Sequence, residues 1–124
     1  MNARHLLWID CTAGAVVGIA VLLLHEWLSA LFDLPEGLVL FMGIANVVYA
    51  CGSFSLAIRR QRPLAGIQAL ALANVAWAGL LMILFVVFAE TASPFGLAQF
   101  ALEALFVGGL GIAEWRNREA LRVA

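Results

Sequence analysis

Four apolar runs, divided by three short polar breaks, constrain this 124-residue chain more than any other feature. The runs cover residues 6–32, 38–58, 64–89 and 95–115. Each break carries a proline, at Pro35, Pro63 and Pro94. Proline removes a backbone donor and clashes with the preceding turn, so a helix stops or restarts there. An α-helix rises about 1.5 Å per residue and the hydrocarbon core of a bilayer is about 30 Å thick, so roughly 20 residues span it. Every run reaches that length. Strands are excluded physically, because an open sheet edge in lipid leaves backbone groups unsatisfied and four strands cannot close a barrel. Breaks this short allow only antiparallel neighbours. The expected fold is all-α: an integral membrane four-helix antiparallel bundle, up-down-up-down, forming a single transmembrane domain over residues 1–124. Composition agrees, since 65% of the residues are hydrophobic and a soluble domain averages about 45–50%.

Arginine placement orients the bundle. The basic residues are Arg4, Arg59, Arg60, Arg62, Arg116, Arg118 and Arg122, with no lysine. An even number of crossings puts the N-terminus, the 59–63 loop and the C-terminus on one side, and all seven arginines lie there. The other side carries Asp33, Glu36 and Glu90. The positive-inside rule then predicts cytoplasmic termini, in a bacterial inner membrane. Trp8 and Trp115 fall at the predicted inner interface and Trp27 near the outer one, where amphipathic rings settle. Residues 1–5 look like the start of a signal peptide. Asp10 interrupts the apolar run that follows, however, and the run is too long for an h-region, so a retained helix is expected.

Several function classes find no support. No basic tail or aromatic-interleaved basic face points to nucleic acid. Cys11 and Cys51 lack metal-type spacing and read as small apolar residues. No GxSxG, HExxH, CxxC or P-loop signature is present, so no metal centre or cofactor is expected. A membrane enzyme acting on a lipid or quinone would have to work with Glu103, or with Asp10, His25 and Glu26, and ranks third among the readings. His5 and His25 are predicted at opposite interfaces, which disfavours a two-histidine haem site. Asp10, His25 and Glu26 are expected to be interfacial.

The informative residues are polar ones far from the run ends. Asn46, Asn74 and Glu103 each lie two residues from a run midpoint. They are expected within roughly 3 Å of one level, facing inward and meeting one another. An ionised carboxylate at that depth costs at least about 2.5–3.5 kcal/mol. Glu103 therefore either carries a proton, sits beside a ligand cation, or is hydrogen-bonded to the asparagines as structural glue. Helical spacing adds Gln99 and Glu114 to the Glu103 face, and Tyr49 and Ser53 to the Asn46 face. Trp77 flanks Asn74. The candidate ligand or proton site is Glu103, Asn46, Asn74, Tyr49, Gln99 and Trp77. The segments 45–50 and 73–78 both read A-N-V-x-aromatic-A. They are either a trace of hairpin duplication or a coincidence in a low-diversity apolar sequence.

Gly14 and Gly18 form a GxxxG pattern, and Gly108, Gly109 and Gly111 form a second small-residue surface. Both are expected to let backbones approach closely, within the bundle or between subunits. Two readings of function follow. One is a small carrier or ligand-binding protein, active as a homo-oligomer, with a proton or a cationic or amphipathic ligand at Glu103. The other is an accessory or scaffold subunit of a larger membrane complex. The lipid bilayer is the expected partner in both.

Overall fold

Proline and one serine set the helix starts. The computed structural model describes residues 3–123. Its elements are α1 (Arg4–Leu23), α2 (His25–Phe32), α3 (Glu36–Ala57), α4 (Leu64–Val87), α5 (Pro94–Arg116) and α6 (Arg118–Leu121). Pro35 and Pro63 occupy the N-cap positions of α3 and α4. Pro94 is in the first turn of α5, where its missing N–H costs nothing. Ser93 caps that helix by accepting from Gly96 N at 3.2 Å, and its own hydroxyl donates to Leu31 O at 2.6 Å. This ties the α2 end to the α5 start. No strand occurs among the described residues.

The first run differs from the single helix expected over 6–32. It breaks at Leu24, whose backbone leaves helical geometry (φ −111°, ψ 17°). No proline or glycine stands there. Instead His25 Nδ1 donates to Leu22 O at 2.8 Å. A side chain that takes a carbonyl from the helical ladder is a known cause of a kink. The other runs start or end within two residues of the expected positions, and the C-terminal tail adds the single turn α6.

Four helices, α1, α3, α4 and α5, are long and apolar enough to cross a membrane. The most extensive contacts join α1 to α3 and α4 to α5. Glycines make these approaches close. Gly14 faces Asn46 O and Ala50, Gly18 faces Val47 N and Gly43 O, and Gly111 faces Ala71 O, Asn74 and Val75. In each pair, residue numbers rise on one helix as they fall on the other. Gly109 meets nothing within 4 Å and faces outward.

Two apolar clusters form the core. One gathers Leu34, Val39, Met42, Trp77, Leu81, Phe100 and Ala104. The other gathers Leu7, Leu56, Ala57, Ile67, Leu70 and Leu121. Buried Asp10, Asn46, Ser53, Asn74 and Glu114 lie between them in order along the helices. The outer surface is apolar instead, with Leu23, Leu105, Val86 and Val87 among the most exposed residues.

The end that holds the termini is tied by arginine. Buried Arg62 donates to Leu56 O, Ala57 O and Leu121 O, and its backbone N–H to Arg122 O. Arg4 also donates to Ala57 O. These bonds satisfy the last carbonyls of α3, which have no partner inside the helix. Burial, and secondarily the neighbouring Arg4 charge, pulls the Arg62 guanidinium below its ordinary range. It stays charged all the same, because arginine is not deprotonated in proteins. Replacing Arg62 with Met keeps most of the volume and removes the donors. The expected result is a loss of about 1–3 kcal/mol and faster amide exchange over residues 118–123, read by hydrogen–deuterium exchange.

Candidate functional site

The two A-N-V-x-aromatic-A segments meet at the centre of the bundle. Asn46 on α3 donates through Nδ2 to Met42 O and to Glu103 Oε1, both at 2.9 Å. Asn74 on α4 donates through Nδ2 to Asp10 Oδ2 at 2.7 Å and Glu114 Oε1 at 2.8 Å. Asn46 thus reaches from the α1–α3 pair to α5, and Asn74 from the α4–α5 pair to α1. Each asparagine ties the two helix pairs together. Three residues further on, Tyr49 and Trp77 pack against each other with ring centroids 6.2 Å apart. The Tyr49 hydroxyl donates to Ala73 O at 2.7 Å, a third hydrogen-bonded link between the two helix pairs, here from α3 to α4.

Asp10, Asn46, Tyr49, Asn74, Trp77 and Glu103 line one interior cavity of about 40 Å³. Gln99 Nε2 lies 3.4 Å from Glu103 Oε2, a weak donor contact at that length. Trp77 adjoins Glu103, yet its buried Nε1 falls outside hydrogen-bond geometry with any group. A buried N–H without an acceptor is uncommon and points to a water or ligand atom in the neighbouring space. One water needs about 10–15 Å³, so the cavity has room for it.

No known protein family, curated protein or solved structure matches the chain. The functional reading therefore rests on this geometry alone.

The expected contact of Asn46 with Glu103 is present. The expected contact of Asn74 with Glu103 is not. Asn74 stands opposite Gly111, whereas pairing by run midpoints sets it beside residue 107, one helical turn away. Close packing at Ala71–Gly111 and Ala78–Gly108 sets this register. At the observed register, Asn74 reaches Glu114, which is roughly 16 Å further along α5 than Glu103.

Asp10 takes a part in the network that its place near the start of the first run did not indicate. Only 5% of it is exposed, and it accepts a hydrogen bond from Asn74. Its signal in the sequence was the charge itself, the only one between Arg4 and His25. His25 and Glu26 do lie at the surface-exposed end of the bundle, with His25 Nε2 3.0 Å from Glu36 Oε1. Ser53 is buried and turns its hydroxyl back to Tyr49 O rather than toward Glu103.

Proposed function

We propose that this chain is a small polytopic protein of a bacterial inner membrane. It forms an up-down-up-down bundle with cytoplasmic termini, and binds a proton or small cation at Glu103. The membrane reading is supported by an inverted polarity. Carboxyl and amide groups are inside, and large aliphatic side chains cover the outside. Only 22–33% of each helix's apolar stretch is buried within the chain, whereas a soluble monomer rarely leaves apolar patches beyond a few hundred Å² exposed. The arginine side, with Arg4, Arg62 and the C-terminal turn held together, is the cytoplasmic side under the positive-inside rule.

The observation that carries the ligand reading is the cavity at Glu103. Its volume of about 40 Å³ is far below the roughly 300–1,000 Å³ of sites that hold drug-sized molecules. A proton, a water or a small cation fits, and an amphipathic organic molecule does not. The Glu103 carboxyl supplies the charge, Asn46 fixes its orientation, and the Trp77 indole adjoins it.

Glu103→Gln tests this. Gln keeps the Oε1 acceptor for Asn46 but cannot ionise. In vesicles with an imposed membrane potential and an internal pH dye, wild type is expected to carry protons and Glu103→Gln to fall to the rate of protein-free vesicles. Undiminished flux in Glu103→Gln would overturn the assignment of Glu103. Absence of wild-type flux would overturn the carrier reading.

An accessory subunit of a larger membrane complex is the second reading. Gly14, Gly18, Gly108 and Gly111 are used within the bundle, which removes part of its basis. What favours it is an open groove between α3 and α4, lined by Gly52, Gly66, Ala69 and Ala73, that leaves space for a foreign helix. Purification of the chain as a homo-oligomer would weigh against that role, and recovery only with another membrane protein would favour it.

A further inference from the structure

We infer that Asp10 and Glu114 form a second proton-binding site, holding one proton between their carboxyl groups above the Asn74 amide. The site lies on other residues than the Glu103 reading uses and does not depend on it.

Both carboxyls are inside the protein, Asp10 at 5% exposure and Glu114 at 0%. One nitrogen, Asn74 Nδ2, donates to both. A neutral amide supplies two protons for hydrogen bonding and no charge. The two carboxyl groups are also within hydrogen-bonding reach of each other. Among the described residues the ion pairs are His25–Glu36 and Arg122–Glu119, and neither involves this site. Two adjacent buried anions without a cation are strongly disfavoured, and shared carboxyl pairs resolve this by keeping one proton.

The unpartnered atom makes the same point independently. Glu114 Oε2 is buried with no hydrogen-bond donor facing it. A proton converts one of the two groups from an acceptor into an O–H donor, so the pair gains an internal hydrogen bond and a charge of −1 instead of −2. The surrounding groups do not supply this. On α1, Cys11 follows Asp10. On α3, Tyr49 gives its hydroxyl proton to Ala73 O. On α5, Glu103 adds a further acid on the far side of the cavity that Asp10 also lines. Through Asp10 the pair therefore borders the same cavity as Glu103.

The test is infrared spectroscopy of the full chain in lipid at neutral pH, in the Glu103→Gln background, so that Glu103 contributes no acid signal. The remaining acids, Glu26, Asp33, Glu36, Glu90 and Glu119, are all on the surface. A protonated-carboxyl C=O band that shifts in D₂O is expected. Asp10→Asn and Glu114→Gln, each added singly, are both expected to change that same band, because both oxygens hold the proton. The parent spectrum needs no further variant, so the first outcome stands even if a double variant folds poorly. Absence of the band overturns the inference. So does a band that responds to only one of the two substitutions, or to neither. A failure of proton flux in vesicles leaves these outcomes unaffected, and the two ideas fail separately.

Discussion

Replacing Asn74 with Leu is expected to destabilise the bundle by more than about 2 kcal/mol. Leu has the branched heavy-atom skeleton of Asn but a larger volume, so overpacking at this buried position adds to the loss of the hydrogen bonds. Asp10 Oδ2 and Glu114 Oε1 both lose their donor. Interhelical hydrogen bonds in membranes average only about 0.6 kcal/mol, because the separated helices find other partners. On that scale the two bonds are worth about 1 kcal/mol. Here the acceptors stay buried after the donor is gone, and each orphaned acceptor costs about 1–3 kcal/mol. The second effect dominates because the neighbouring apolar clusters offer Asp10 and Glu114 no alternative. Reversible unfolding in mixed micelles reads the difference. A loss below about 1 kcal/mol would mean that the two acids satisfy each other without Asn74.

Asn46 does not carry the same weight. One of its two bonds runs to Met42 O on its own helix, and only the bond to Glu103 links helices. Asn74 spends both on other helices. The sequence shows two matching segments, 45–50 and 73–78, with identical asparagines. It does not show that one asparagine has two interhelical acceptors, because that depends on which carboxyls the packing delivers.

The four long apolar helices and three of their starts were legible because their causes are local. Pro35, Pro63 and Pro94 act on their own turn of chain. The break at Leu24 was not legible, since its cause is the rotamer of His25 and not a breaking residue. The Asn46–Glu103 contact was legible from depth alone. That Asp10 joins the buried network was not legible, because burial depends on which helices close over it. Asn74, on α4, reaches Asp10 and Glu114 together. The Asn74–Glu103 contact was misjudged for a related reason. Run midpoints describe helix lengths, whereas register is fixed where small residues let backbones touch.

Those small residues give the other large effect. Gly111→Leu is expected to disrupt the α4–α5 contact, while Gly109→Leu, two residues away, leaves stability unchanged or raised. A Cβ at position 111 would stand 2.8 Å from Ala71 O, 2.9 Å from Val75 Cγ2 and 3.0 Å from Asn74 Cβ. The first of these is backbone and cannot rotate aside, so the helices must separate. Overpacking of this kind costs about 1–3 kcal/mol and at times more, and the rest of the Leu side chain enlarges it. At position 109 nothing lies within 4 Å, and removing glycine from a helix interior gains up to about 1 kcal/mol. Composition alone treats the two glycines alike, so a difference in their unfolding free energies tests the register itself. Gly111→Ala sharpens the point further. Its single methyl presses on Asn74 Cβ, and a shift of Asn74 moves the one donor shared by Asp10 and Glu114. The variant is therefore expected to perturb the protonated-carboxyl band as well as stability, whereas Gly109→Ala perturbs neither. An unchanged band in a destabilised Gly111→Ala protein would separate helix packing from the acid pair and show that Asn74 does not transmit one to the other.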